Sequence, residues 1–193
     1  MPKETIILAS GSPRRRELLQ AMGISFEVVT SDVPELDADS APGMPPVDLA
    51  QENARRKALA VAALHPSRWV LGADTVVTLD NRSLGKPVSL DEARLFLAML
   101  SGREHEVITA CALIEPTGKQ HEFHEVTKVA FRKLTLGIIN RYLNAVHVLD
   151  KAGAYALQEE GDLIIERVEG SQTNVVGLPW EMLAKYFQMV GLL

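Results

Sequence analysis

The sequence has a single cysteine and no long hydrophobic run. Because Cys111 stands alone among 193 residues, the chain cannot form an internal disulfide, which suits a reducing compartment such as the cytoplasm. No stretch approaches the ~18 apolar residues of a membrane-spanning helix, and the apolar run at 5–9 is too short for a signal peptide. We therefore expect a cytoplasmic protein that has no membrane partner.

The sequence also lacks an excess of positive charge and the common nucleotide-binding and hydrolase motifs. A net charge of -5 argues against a general nucleic-acid or membrane surface, so nucleic acid is not an expected partner. We find no GxxxxGK[ST], GxGxxG or GxSxG, and the five histidines show no metal-binding spacing. P-loop NTPases, Rossmann dehydrogenases and serine hydrolases are thereby disfavoured, and the basic residues matter where they cluster.

The pattern of apolar and turn residues predicts a single α/β domain over residues 1–193. Helical periodicity and runs rich in Val, Ile, Thr and Phe alternate in the first half of the chain. Residues 105–131 look like a long antiparallel pair around the turn PTGKQ, which makes the predicted sheet a mixed one. Predicted strands are 5–9, 26–31, 69–79, 106–114, 123–131 and 163–168, and predicted helices are 13–22, 47–64, 90–100, 135–144 and 179–189.

The stretch GSPRRR predicts a helix start that is unusually rich in cations. Ser12 suits the N-cap, yet three arginines follow in the first turn, where the helix dipole disfavours positive charge. A helical wheel places Arg15 on the apolar stripe with Leu18, leaves Arg16 to solvent and puts Arg14 between them. Such a corner either binds an anion such as phosphate or is a solvated basic helix start.

Two further charged residues interrupt apolar patterns. Lys57 lies in the stripe of Ala54 and Ala58, where its ammonium either reaches the surface or enters a polar cleft. Asp74 interrupts a near-continuous apolar strand, where a carboxylate needs a metal, a water to activate or a salt bridge. Lys86, between a glycine and a proline, is by itself most typical of a surface position.

Seven segments together resemble the Maf family of nucleoside triphosphate pyrophosphatases. The segments are LASGSPRRRELL, ARRKA, LGADTVV, LGKP, LSGREHEVITA, DKAGAYALQ and NVVGLP, and their order and approximate spacing match over nearly the whole chain. The resemblance implies an α/β fold with an elongated mixed sheet flanked by helices, and two lobes around a central cleft, similar to inosine triphosphate pyrophosphatases. It also implies a homodimer that cleaves a nucleoside triphosphate into monophosphate and pyrophosphate with a divalent cation, Mg²⁺ or Mn²⁺.

The resemblance assigns roles to individual residues. It makes Asp74 the proton acceptor, and it makes Glu35 and Asp74 candidate ligands of the metal. It assigns six residues to the substrate. The phosphate ligands are Ser12, Arg14, Arg15, Lys57 and Lys86, and the candidate ligand of the base is Gln158. Pro34 stands where many members carry a second acidic residue, which bears on the metal assignment at Glu35.

The segment around Gln158 is similar to the branch of the family that acts on dTTP and UTP. A glutamine amide offers both a donor and an acceptor to a uracil or thymine edge. SQTN, before VVGLP, lacks an aromatic residue found in several relatives. Two alternatives stay open: a 7-methyl-GTP pyrophosphatase, and a nucleotide-binding regulator of septum formation without turnover.

Overall fold

The computed structural model describes residues 4–193 as one seven-stranded mixed sheet with helices on both faces. The strands are β1 (Ile6–Leu8), β2 (Phe26–Val28), β3 (Val70–Leu79), β4 (Arg82–Leu84), β5 (Glu104–Ile114), β6 (Gln120–Phe131) and β7 (Ile165–Glu169). The helices are α1 (Pro13–Ala21), α2 (Pro46–Leu64), α3 (Leu90–Leu100), α4 (Leu136–Ala145), α5 (Gly161–Ile164), α6 (Gln172–Val176) and α7 (Trp180–Met189), with a 3₁₀ turn at Ala152–Ala154. The predicted mixed α/β sheet is confirmed.

The first three strands are parallel and the remaining pairs are antiparallel. The strand order is β2-β1-β3-β5-β6-β7, with β4 paired to β3 as a hairpin outside this path. β1 is parallel to both β2 and β3, because α1 and α2 return the chain across the sheet. β5 and β6 pair from Glu104↔Ala130 to Ile114↔Gln120, so the predicted long antiparallel pair is confirmed.

A glycine lets α2 approach the centre of the sheet. Gly72 of β3 faces α2, and a Cβ built at this position would lie 2.4 Å from the carbonyl oxygen of Ala54 and 2.9 Å from Cβ of Ala58. No side chain larger than hydrogen fits there without moving the helix. This close packing brings the next α2-facing residue of β3, Asp74, beneath the helix.

Separate hydrophobic clusters surround β3, in agreement with the two lobes implied by the resemblance. On the face opposite α2, Leu71 and Ala73 pack with α1 and α7, whereas Val77 and Leu79 pack with α3 and α4. Thr75 lies between these two groups on the same face of the strand. The polar side chain of Thr75 therefore lies in the middle of β3, at the boundary between the two hydrophobic clusters.

Three short elements differ from the sequence prediction. β4 follows a turn in which Asp80 and Asn81 both have positive φ, a conformation these residue types tolerate. α6 was not predicted, and the strand predicted at 163–168 begins instead with a helical turn, α5, and becomes extended from Ile165. Each of these three elements spans only three to five residues, which gives a periodic pattern little length in which to show.

Within residues 4–193, no helix combines the length and the apolar character that a membrane crossing requires.

Candidate active site

The candidate site forms where α2 crosses β3. Nζ of Lys57 donates to Oδ1 of Asp74 at 2.6 Å and to Oε1 of Glu35 at 2.7 Å. Lys57 and Asp74 are buried, and Glu35 reaches them from the loop between β2 and α2. Of the two orientations considered for Lys57, the structure therefore shows the inward one. A salt bridge, one of the alternatives for Asp74, is present.

Lys86 extends this cluster toward solvent. Its Nζ lies 2.8 Å from Oε2 and 3.1 Å from Oε1 of Glu35, so the carboxylate bridges a buried and an exposed lysine. Burial by itself raises the pKa of Glu35, but Lys57 and Lys86 outweigh that effect and hold the pKa at about 2. Glu35 is therefore an anion at any physiological pH, and Lys86 is a surface residue that pairs with it.

Asn53 is a member of the site that the sequence analysis missed. It is buried one turn before Lys57 on the same face of α2, and its Nδ2 lies 3.3 Å from Oδ2 of Asp74. The same amide group donates to the carbonyl oxygen of Leu36 at 2.9 Å and accepts from the Leu36 N–H at 2.7 Å. Asn53 thus fixes the backbone next to Glu35. A polar residue within an apolar helical stripe was the signal that could have identified it.

Arg15 is buried, as the helical wheel predicts, and it is held by neutral acceptors. Its Nε donates to the carbonyl oxygen of Gly177 at 2.9 Å, Nη1 to Oγ of Ser10 at 3.0 Å, and Nη2 to Oγ1 of Thr75 at 3.0 Å. Burial lowers the pKa of Arg15, and the charge of Asp74 opposes that effect in part. Three of its five N–H groups are engaged, which leaves two for a ligand.

A chain of hydroxyl groups supports Arg15 from below. Oγ1 of Thr109 donates to the carbonyl oxygen of Asn174 at 2.8 Å, so its contact with Oγ1 of Thr75 at 2.9 Å is one in which Thr75 donates. Thr75 in turn accepts from Arg15. All the hydrogen bonds thus run in one direction, from the guanidinium to α6. Neither threonine stands out in the sequence, since threonine is common in strands.

The other residues of GSPRRR lie as the sequence predicts. Oγ of Ser12 accepts from the N–H of Arg15 at 3.5 Å and caps α1. Arg16 is exposed. Arg14 is partly exposed, and its Nη1 forms an ion pair with Oδ2 of Asp150 at 3.3 Å. The helix start therefore presents one fixed arginine and one arginine at the edge of solvent.

Gln158 lies outside this set of contacts. It is exposed, and within residues 4–193 its side chain makes no hydrogen bond or ion pair. Its neighbour Glu159 reaches Nζ of Lys151 at 3.3 Å, and Lys151 pairs with Asp150, the partner of Arg14. The structure thus connects Gln158 to the α1 corner through intermediate residues and leaves its amide open to solvent.

The two carboxylates predicted as metal ligands share one partner. Glu35 and Asp74 both accept from Nζ of Lys57, so their oxygens converge on one small volume. Among the residues that the structure describes, no group of three or more His, Cys, Asp or Glu could hold a metal ion. Mg²⁺ fits this donor set, because it commonly binds through one or two carboxylates and takes its other ligands from water and substrate phosphates.

The start of α1 and the cluster of charged side chains where α2 crosses β3 together form a site that holds charges of both signs. The lysines at 57 and 86 and the arginine at 15 bring positive charge close to the carboxylates of Glu35 and Asp74. Such an arrangement offers cations to a polyanion and hard oxygen ligands to a divalent cation at the same place.

Comparison with known proteins identifies relatives over nearly the full length of the chain. The family model described as Maf-like protein matches residues 5–190. A dTTP/UTP pyrophosphatase of Akkermansia muciniphila is 47% identical, over 96% of this chain and 96% of that protein. Proteins of the same name from Desulforamulus reducens and Bacillus cereus are 44% and 45% identical, over 96% and 93% of this chain and 96% and 92% of theirs.

A solved structure supports the fold. The Ham1 protein of Staphylococcus aureus superposes with a TM-score of 0.55 over 96% of this chain and 99% of that chain, at 16% identity. Similarity at this level concerns the arrangement of the sheet and helices alone, and the Ham1-like fold expected from the resemblance is thereby confirmed. From the family match and the identities of these relatives, we conclude that this chain belongs to the family of Maf-like proteins.

Proposed function

We propose that this protein is a nucleoside triphosphate pyrophosphatase that hydrolyses dTTP and UTP to the nucleoside monophosphate and pyrophosphate. The observation that carries the proposal is the buried pairing of Lys57 with Asp74 and Glu35. The chain is also 47% identical to a protein named dTTP/UTP pyrophosphatase.

Binding of the triphosphate rests on the cations around this pairing. In the proposal, Lys57, Lys86, Arg14 and the two unengaged N–H groups of Arg15 face the phosphates, and Ser12 contributes its hydroxyl group. Because pyrophosphate departs with additional negative charge, cations held in place before the reaction stabilise the transition state more than the ground state. Lys57 is well suited to this role, since its ammonium is already inside the site.

Asp74 takes the proton of the attacking water. Its Oδ1 is engaged by Lys57, whereas Oδ2 has only the long 3.3 Å contact with Asn53 among the described residues, so Oδ2 retains acceptor capacity. The water oxygen bonds to the α-phosphorus, the bond from that phosphorus to the bridging oxygen breaks, and pyrophosphate leaves with the electron pair. The proton of the water passes to Asp74.

A divalent cation, Mg²⁺ or Mn²⁺, is part of the proposal, with Glu35 and Asp74 as its protein ligands. When bound, it supplies positive charge to the phosphate oxygens. Glu35 is suited to this role because its pKa of about 2 keeps it ionised. Removal of the cation with EDTA is expected to abolish turnover, and addition of Mg²⁺ is expected to restore it.

We also propose how the protein recognises the base, how its subunits associate and where it acts. Gln158 reads the uracil or thymine edge with its amide. The protein acts in the cytoplasm as a homodimer, a state that size-exclusion chromatography with light scattering tests directly.

The experiment that tests the function is a nucleotide panel. The protein is incubated with Mg²⁺ or Mn²⁺ and with dTTP, UTP, dCTP, dGTP or 7-methyl-GTP, and released pyrophosphate is measured. We expect the highest kcat/KM for dTTP and UTP. Turnover of 7-methyl-GTP alone would assign the protein to the other branch of the family. Nucleotide binding without multiple turnover would support the regulator of septum formation instead.

A further inference from the structure

A line of four charged residues connects the α1 corner to the loop of Gln158. Arg14 pairs with Oδ2 of Asp150 at 3.3 Å, and the other oxygen of Asp150 lies 3.0 Å from Nζ of Lys151. Nζ of Lys151 also lies 3.3 Å from Oε1 of Glu159, the residue that follows Gln158. Phosphate binding and proton transfer, as proposed above, use neither Lys151 nor Glu159.

Lys151 is the most buried charged member of this line. Its side chain is 5% exposed, whereas those of Asp150 and Glu159 are 45% and 46% exposed. Lysine is rarely buried to this extent unless its ammonium is paired. The ammonium donates to the carbonyl oxygen of His147 and to Oδ1 of Asp150, and it forms an ion pair with Glu159. These contacts offset the cost of burial, and they join residues on either side of the 3₁₀ turn at Ala152–Ala154.

The loop that carries Gln158 is anchored on both sides of that residue. On one side, the hydroxyl group of Tyr142 accepts from the N–H of Ala156 at 3.0 Å. On the other side, Glu159 binds Lys151. Gln158 itself is exposed between these two anchors. A short segment held at both ends presents its middle side chain from a defined place, even though that side chain has no partner of its own.

We propose that Lys151 and Glu159 are positioning residues for nucleotide selection, an inference that rests on the proposed function. They hold Gln158 at a set distance from Arg14, so that one nucleotide engages its base and its phosphates together. Because they act on binding, their loss raises KM for dTTP and UTP and leaves kcat nearly unchanged. Loss of either residue also lowers the ratio of kcat/KM for dTTP to kcat/KM for dCTP, because the base of dCTP presents a different pattern of donors and acceptors.

The test compares Glu159→Gln with Glu160→Gln. Both residues are exposed, but among the described residues Glu160 forms no ion pair, which makes it a matched control. For Glu159→Gln we expect KM for dTTP to rise about threefold, the scale of a partly exposed ion pair. For Lys151→Met, which leaves Glu159 unpaired and Asp150 with Arg14 alone, we expect a rise in KM at least as large as that of Glu159→Gln. Glu160→Gln is expected to keep the wild-type KM.

A double-mutant cycle separates positioning from a general structural effect. If Glu159 acts through Gln158, then Glu159→Gln produces no further rise in KM when Gln158 is already alanine. An equal rise in both backgrounds would overturn the inference. Hydrogen–deuterium exchange adds a readout that does not depend on activity, since residues 156–160 are expected to exchange faster in Glu159→Gln and not in Glu160→Gln. Unchanged exchange in Glu159→Gln would also overturn it.

Failure of the proposed function is recognised separately. If the wild-type protein turns over none of the triphosphates, the proposed function is wrong, whatever the variants do. In that event the affinity of each variant for dTTP, measured by calorimetry, decides the inference: a weaker affinity in Glu159→Gln alone supports it, and equal affinities overturn it. If the wild-type protein hydrolyses dTTP and the two glutamine variants share its KM, the inference is wrong and the function stands.

Discussion

Nζ of Lys57 lies 2.6 Å from Oδ1 of Asp74, and the two side chains are 11% and 10% exposed. A pair this deeply buried gains Coulombic energy but loses the hydration of both charges, so its net contribution to stability is small. Removing one partner is different, because it leaves the other charge buried and uncompensated. Glu35 moderates this effect here, since it gives Lys57 a second carboxylate.

Asp74→Asn is expected to abolish catalysis while the protein stays folded. Asparagine keeps the shape of the side chain but cannot take a proton from water, so we expect pyrophosphate release to fall by about 10²- to 10⁴-fold. Glu35 still neutralises Lys57 in this variant. The measurement is kcat for dTTP with circular dichroism as the check on folding. Asp80→Asn, in the exposed turn that follows the same strand, is the control and is expected to retain activity.

Gly72→Ala is expected to destabilise the protein by at least about 1–3 kcal/mol, the usual cost of overpacking. The added Cβ would lie 2.4 Å from a backbone oxygen of α2, which cannot rotate away as a flexible side chain could. Urea unfolding measures the change. Gly85→Ala is the control, because its Cβ would meet nothing within 4 Å. Equal stability of the two variants would contradict the close packing of α2 on β3.

Thr109→Val tests the hydroxyl chain beneath Arg15. Valine has nearly the same shape, but it removes one of the two donors to the buried carbonyl oxygen of Asn174, which keeps only the N–H of Gly177, so we expect a loss of about 0.5–1.5 kcal/mol in the free energy of unfolding. Thr75 loses its acceptor at the same time, so we also expect a lower kcat/KM for dTTP. Thr117→Val, in an exposed turn, is the control. If the Thr109→Val protein is as stable as the Thr117→Val control, the hydrogen-bonded hydroxyl groups of Thr75 and Thr109 do not have the proposed role.

The stability of the protein is expected to fall below neutral pH because of His105. This ring is buried against Phe131 and Tyr155, and burial lowers its pKa to about 4. The unfolded chain takes up a proton near the ordinary histidine pKa of about 6.5, whereas the folded protein does not. The stabilisation is therefore complete above about pH 6.5 and is lost as the pH falls toward 4, by about 2 kcal/mol at pH 5.

Urea unfolding at pH 7.5 and pH 5 measures this loss. His105→Phe, which keeps an aromatic ring in place, is expected to remove that part of the pH dependence, and His124→Gln, at an exposed position, is expected to retain it. A pH dependence that persists unchanged in His105→Phe would assign it to other groups.

The sequence predicted well the helices with one apolar face and the long strands that are buried on both faces. All five predicted helices are present, because an apolar stripe repeated over nine or more residues leaves little ambiguity. The inward position of Arg15 followed from the helical wheel, whereas for Lys57 the wheel left open whether the ammonium reaches the surface or enters a polar cleft. The hairpin turn at Asp80 and Asn81 was missed although its residue types were informative.

The partners of the predicted residues could not be read from the chain. Asn53 reaches Asp74, and Thr75 reaches Arg15, across separations of 21 and 60 residues. Such contacts depend on strand register and on how closely a helix packs, which local patterns do not specify.

By itself, the sequence determined which charged residues lie on buried faces, because a periodic apolar pattern imposes a direction on every side chain within it. Only the tertiary structure decided that Lys57, Asp74, Glu35 and Lys86 form one cluster while Arg15 is held by hydroxyl and carbonyl groups. The reason is physical: a buried charge must find a partner, but the packing of α2 on Gly72 determines which partner lies within reach.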